Sequence, residues 1–166
     1  MTTSDADANT HRTPGSELKS AIFVVIDTNI VLDMLLFRDS GVDGLQQLLC
    51  GGQFIWISTS GMLDELADVL TRSFARRWTV DGIAVSAQAR TLCRLVVAPL
   101  ALNPPAQRCA DPDDQQFIDL ACAWPATWLF SRDRALLNLA DSARRRGVNV
   151  VTPAQWLSSM RLAVAS

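Results

Sequence analysis

Histidine and lysine are almost missing from this 166-residue chain: His11 is the only histidine, Lys19 the only lysine, and both fall in the polar stretch 1–20. That stretch reads as a flexible N-terminal tail, because it carries too little apolar surface to pack. The folded part is therefore expected to have neither residue. Ser-His-Asp and Cys-His nucleophilic arrangements, lysine Schiff-base chemistry and the phosphate-binding P-loop lysine are excluded. Cysteine is sparse: positions 50, 93, 109 and 122 form no CxxC pair, so neither a zinc ribbon nor a redox dithiol is indicated, and the thiols are expected to be buried or idle. No apolar run approaches the roughly 18 residues that cross a bilayer, and the N-terminus lacks the basic-then-apolar order of a signal peptide. A cytoplasmic protein with no membrane partner is expected. Net charge is −2, with 14 arginines supplying nearly all the positive charge, so the strongly basic signature of a histone-like or coating protein is also missing.

Apolar residues are abundant, 49% against 19% charged, which suits one domain with a sizeable core. Apolar runs of strand length alternate with longer helical patterns, predicting an α/β domain over 21–160 with a central parallel sheet of four or five strands flanked by helices. A short C-terminal tail, 161–166, follows. Strands are predicted over 21–26, 54–57, 127–130 and 148–151, with a short one starting at Val96 and Val97. Helices are predicted over 30–37, 42–50, from the Thr59-Ser60 cap to Arg72, over 83–95, from the Asp111 cap and Pro112 to Trp124, over 134–146 ended by Gly147, and over 153–160. The segment 73–82 has no clear pattern, and 99–110 reads as a connecting loop. Trp56, Trp124, Trp128 and Trp156 sit in apolar patterns that suit a core; Trp78 has no clear place.

Carboxylates are the chemistry that remains. Asp27 directly follows the first strand, and Asp133 lies three residues past Phe130, so both fall at carboxyl ends of strands, where open parallel sheets collect ligands. Glu65 is one of only two glutamates, the other being in the tail. On a helical wheel it lies at the edge of the stripe Met62, Leu63, Leu66, Val69, Leu70, with Asp64 and Asp68 facing away. In the helix after Pro112, Phe117, Leu120, Ala121 and Trp124 turn inward, and Asp113 and Asp114 flank that side equally, so periodicity leaves both open. Each acid alone also reads as a cap or a solvated charge. Together they read differently: several carboxylates within a few ångströms raise one another's pKa unless a cation neutralises them. Oxygen-only ligands suit Mg²⁺ or Mn²⁺, which can serve phosphodiester hydrolysis.

Asp27-Thr28-Asn29 after an apolar strand, Glu65 within Leu-Asp-Glu-Leu, Asp111-Pro112-Asp113-Asp114 before Phe117-Ile118-Asp119-Leu120-Ala121, and Ser131-Arg132-Asp133-Arg134-Ala135-Leu136-Leu137 together resemble a PIN domain. The resemblance runs in order over about residues 22–157 and is nearest to the bacterial toxin-type subfamily related to VapC toxins. It implies a three-layer sandwich and a divalent-metal-dependent endoribonuclease acting on RNA, the toxin half of a toxin–antitoxin pair. It also implies a cognate antitoxin partner and a homodimer. Position by position it implies Asp27, Glu65, Asp114 and Asp133 as the catalytic, metal-holding acids. Asp114 is taken over Asp113 because the family places its acid seven residues before an inward small residue, here Ala121. Asn29, Ser131, Thr28 and Asp113 fall in supporting positions.

Residues 21–166 hold 13 arginines and 14 acids; without the four proposed site acids the balance is positive by three. Arg132 and Arg134 flank Asp133 and Arg108 precedes the acidic turn, so these three are candidates to hold RNA phosphates, or else are solvated surface arginines. A haloacid-dehalogenase-like phosphotransferase would need an acid where Asn29 stands and a lysine the domain lacks; a receiver domain fails on the lysine too. A non-catalytic RNA- or protein-binding PIN-like module remains the alternative. The almost wholly apolar helix 30–37 fits either full burial or a groove for an antitoxin segment or second protomer.

Overall fold

The computed structural model describes residues 22–74, 81–100 and 108–164. The expected tail 1–20, with His11 and Lys19, and Trp78 lie outside the described residues.

Strand β1 (Ile22–Ile26) reads IFVVI without a polar position, a strand that is stable only when both faces are covered. It takes the centre of a five-stranded sheet ordered β3-β2-β1-β4-β5, in which β2 is Phe54–Ser58, β3 Cys93–Leu95, β4 Trp128–Phe130 and β5 Asn149–Val151. Every pairing is parallel, with Ile22 opposite Phe54 and Ile26 opposite Phe130. Side-chain alternation splits the core in two. Val24 and Ile26 join Phe54, Trp56 and Phe130 on one face, while Val25 joins Ile57 and Leu129 on the other.

Helices α1 (Thr28–Leu32), α2 (Asp43–Cys50), α4 (Gly82–Leu92) and α8 (Pro153–Val164) cover the first face through Ile30, Leu45, Val85 and Trp156. Helices α5 (Gln115–Ala123), α6 (Arg134–Leu137) and α7 (Ala140–Arg144) cover the second through Phe117, Leu120, Leu136 and Ala143. Helix α3 (Ser60–Val69) gives Leu63 and Leu66 to one core and Met62 to the other. The result is the expected α/β sandwich of three layers. Trp156 meets Phe130 edge-on at 5.6 Å and Phe54 at 5.7 Å, closing the first core under α8; each such pair adds about 0.5–1.5 kcal/mol beyond its buried area. The apolar segment after Asn29 is buried through Ile30, Val31, Leu32, Met34 and Leu35, so it belongs to the core rather than to an open groove; Phe37 at its end is half exposed.

Several boundaries differ from the sequence reading. The helix expected over 83–95 stops at Leu92, and Cys93–Leu95 extends to pair with Trp56–Ser58; the strand expected at Val96 thus comes three residues early, because edge pairing overrides helical periodicity. The single helix expected over 134–146 is two short ones, broken at Asn138 and Leu139, whose backbone tightens to ψ −16° and −2°. Asn138 favours such a turn, since its short amide competes with helical hydrogen bonds. Asp111 caps no helix: its Oδ1 accepts from the Asp113 N–H at 3.0 Å, and α5 begins only at Gln115. The first helix starts at Thr28 and finishes in a π-helical turn, Asp33–Phe37, and the last runs on to Val164.

With all strands parallel, the residues after β1, β2 and β4 emerge along one edge. Thr59 turns the chain from β2 into α3, accepting from the Met62 N–H at 3.3 Å while its own N–H meets Met62 Sδ at 3.4 Å. Thr59→Ala is expected to cost about 1 kcal/mol, read as a lower urea midpoint at unchanged m-value.

Candidate active site

Asp27 leaves β1 at this edge, 2% exposed, its N–H donating to Phe130 O at 3.0 Å. It occupies the N-cap position of α1 without a side-chain cap bond, so capping does not consume its carboxylate. Oδ2 instead accepts from Ser131 Oγ at 2.7 Å. Burial raises its pKa; the Ser131 bond and the nearby amides of Asn29 and Thr28 oppose this, and the charge of Asp133 adds to it. Ser131 Oγ also accepts from the Asp133 N–H at 2.9 Å, so one fully buried hydroxyl ties the two strand ends together. Asp133 is the N-cap of α6, with Oδ1 accepting from the Ala135 N–H at 2.6 Å, a cap that engages one of its two oxygens.

Glu65 is half-buried on α3, and its Oε2 accepts from Gln116 Nε2 on α5. Burial raises its pKa, Gln116 lowers it, and the charges of Asp27, Asp113 and Asp111 raise it further. Asp114 stands at the N-cap position of α5, again without a cap bond, and its Oδ2 is buried with no hydrogen-bond partner among the described residues. Its pKa is pushed up to about 7, first by burial and then by the charges of Asp27, Asp133, Asp111 and Glu65. Carboxylates far apart in the chain thus sit within one another's field. Asp113 is exposed and lines, with Glu65, Asp68, Val69, Arg72 and Gln116, a cleft of about 460 Å³ beside α3.

Of the supporting positions, Thr28 is buried and Asn29 exposed. Arg108 and Arg134 are exposed and make no ion pair among the described residues. Arg132 is different: both its Nη groups are ion-paired, with Asp33 and Asp39. Periodicity did not single out Gln116, which holds Glu65 and also donates to Asp113 O at 3.3 Å; its position one helical turn before Leu120 was the available signal.

Ser131→Ala removes a donor from a buried carboxylate and an acceptor from the Asp133 N–H. Expected is about 1–3 kcal/mol less stability, read by scanning calorimetry.

Among the described residues no three His, Cys, Asp or Glu side chains form a ready-made metal-holding group. An open, all-oxygen edge nevertheless fits a hard, hydrated cation, which takes one or two carboxylates and keeps several waters. The unpartnered Asp114 Oδ2 and the mutual raising of these acids are what such a cation would relieve.

The chain is thus an α/β protein with a parallel sheet edged by acids drawn from three loops. The profile described as PIN domain matches residues 23–135, well over half the chain, and the chain belongs to the PIN domain family. Among solved structures, a chain of VapBC2 from Rickettsia felis bound to a DNA fragment from their promoter has the same fold, with TM-score 0.56 and 13% identity over 79% of this chain and 98% of that one. No curated protein matches the chain in sequence. No described helix is long and apolar enough to cross a membrane.

Proposed function

We propose that this protein is a divalent-metal-dependent endoribonuclease and the toxin component of a toxin–antitoxin pair. The observation that carries the reading is Asp114, whose Oδ2 is buried and unpartnered among the described residues and whose pKa is pushed up to about 7, first by burial and then by the charges of Asp27, Asp133, Asp111 and Glu65. Of Asp27, Glu65, Asp114 and Asp133, one or two would hold Mg²⁺ or Mn²⁺ directly and the others through its waters; when bound, the ion supplies Lewis acidity toward a phosphodiester and neutralises charge on the leaving oxygen. Ser131 ties the Asp27 carboxylate to the Asp133 backbone N–H, and Gln116 holds Glu65. Arg108 and Arg134, free of ion pairs among the described residues, would hold RNA phosphates. The fold likeness to VapBC2 from Rickettsia felis supports a cognate antitoxin partner.

Incubation with an RNA pool in Mn²⁺, Mg²⁺ or EDTA tests the activity; cleavage in the first two and none in EDTA is the expected result. Growth arrest on expression, relieved by a small neighbouring DNA-binding protein, tests the toxin role. No cleavage together with no Mn²⁺ binding would leave the non-catalytic binding module as the better account.

A further inference from the structure

Arg132 stands between Ser131 and Asp133 in the turn after β4, where an unpaired arginine would suit a phosphate. Its guanidinium is already engaged: Nη1 meets Asp33 Oδ2 at 2.9 Å and Nη2 meets Asp39 Oδ2 at 3.0 Å. Both partners come from the far end of α1. Asp33 opens its π-helical turn with a side chain only 15% exposed. Asp39 is pinned from two sides, its Oδ1 accepting from the Gly41 N–H at 2.8 Å and its own N–H donating to Asp33 O at 2.9 Å. Arg38 between them takes the left-handed conformation, φ 51°, that folds the chain back to bring the two carboxylates to one guanidinium.

An exposed ion pair of two free side chains contributes little. Here the guanidinium donates a hydrogen bond to Asp39 Oδ2 and lies at ion-pair distance from Asp33 Oδ2, which accepts no hydrogen bond among the described residues; because the backbone already places both carboxylates, little freedom is lost on pairing. The 131–133 turn is consequently tied to the first helical segment at several points, through Ser131 to Asp27 at its start and through Arg132 to Asp33 at the opening of its π-helical turn and to Asp39 beyond its finish.

We propose that Arg132 is a positioning residue: by bridging Asp33 and Asp39 it locks the Ser131–Asp133 turn against the first helix and so sets the Asp133 carboxylate relative to Asp27. Its functional consequence rests on the nuclease reading above. A phosphate contact at Arg132 is disfavoured, since the phosphate would have to displace a carboxylate from an Nη group.

The test uses the full chain with Arg132→Gln, Arg132→Lys, Asp33→Asn, Asp39→Asn and the double variant Asp33→Asn/Arg132→Gln. Amide hydrogen exchange, measured without metal, reads the turn directly, because the Asp133 and Ala135 N–H groups bond to Ser131 Oγ and Asp133 Oδ1. Exchange at these two amides is expected to quicken about tenfold or more in Arg132→Gln and in both Asp variants, with β1 amides unchanged. Mn²⁺ affinity and kcat are expected to fall about ten- to a hundredfold with KM for RNA within about twofold, as displaced but intact catalytic groups require. The double variant should be no worse than Arg132→Gln alone, since all disrupt one unit; Arg132→Lys, which can reach one carboxylate, should recover part. Unchanged exchange in every variant overturns the proposal. So does a raised KM and a salt slope reduced by about one in Arg132→Gln while the Asp variants bind RNA as well or better, the pattern of a phosphate contact. Should Arg132→Gln fail to fold, Arg132→Lys and Asp39→Asn carry the same comparison. If the unaltered protein neither binds Mn²⁺ nor cuts RNA, the nuclease reading falls, and the exchange measurement alone decides the positioning role.

Discussion

Asp27→Asn is expected to lower metal-dependent RNA cleavage by about 10²–10³-fold or more, on the scale of removing one preorganised electrostatic group from an active site, while leaving the thermal transition unchanged or raised. The two halves of this expectation have a common origin. Asp27 is 2% exposed, and burial holds its pKa above the ordinary carboxylate value, so its surroundings disfavour the very charge that a cation would need. Asparagine keeps an oxygen to accept from Ser131 Oγ and fills the same space, but brings no charge into the field of Asp133, Glu65 and Asp114. An ordinary core acid whose charge serves a structural ion pair would behave oppositely, losing stability on neutralisation. Scanning calorimetry and cleavage at saturating Mn²⁺ check both halves. Asp64→Asn supplies the control: Asp64 is exposed on the same helix as Glu65 and pairs with Arg90 at the surface, so cleavage within about twofold of the unaltered protein is expected, as for other exposed pairs. Cleavage by Asp27→Asn within tenfold of the unaltered protein would contradict the assigned role.

The strand ends were legible because a polar residue directly after an apolar run is a signal carried by neighbours in the chain. That placed Asp27, and with it the carboxyl edge of the sheet. Glu65 was legible from its place beside the stripe of Leu63 and Leu66, both of which are core residues in the structure. The acids before α5 were not separable in this way. Periodicity applies only inside a helix, and α5 begins at Gln115, after both Asp113 and Asp114; burial then distinguishes them, through contacts that periodicity does not encode. The same limit hid Gln116, whose partner Glu65 is 51 positions away. It also hid the pairing of Arg132 with Asp39, 93 positions away, so that proximity to Asp133 in sequence made Arg132 read as a free cation. Local pattern likewise failed at β3, where three residues of helical appearance gain more from extending an existing sheet than from lengthening α4.

Raising the pH of the metal-free protein from about 4 to about 7 is expected to destabilise it, and adding Mn²⁺ to remove most of that loss at the upper end. Asp114 ionises near 3.8 in an unfolded chain and near 7 in the folded one. Between those values the folded state holds the extra proton, so stability declines as pH rises through the interval and levels off above it. Asp27 and Glu65, whose pKa values are raised too, act in the same direction. Asp114 is only partly buried, so solvent screening reduces its share to about 1–2 kcal/mol, a few degrees in the melting temperature. Asp114→Asn should therefore match the unaltered protein at pH 4 and exceed it by that amount at pH 8. Occupation by a cation requires the ionised carboxylate, so apparent Mn²⁺ affinity should climb by up to tenfold per pH unit below about 7 and flatten above it, with proton release approaching one per ion bound at about pH 6 and below and falling to about half a proton near 7. Calorimetric titrations in buffers of different ionisation enthalpy measure that proton directly. An affinity independent of pH between 5.5 and 7 would mean that Asp114 is not among the groups the cation must discharge, and would move the centre of the site toward Asp27 and Asp133, where Ser131 already binds the two strand ends together.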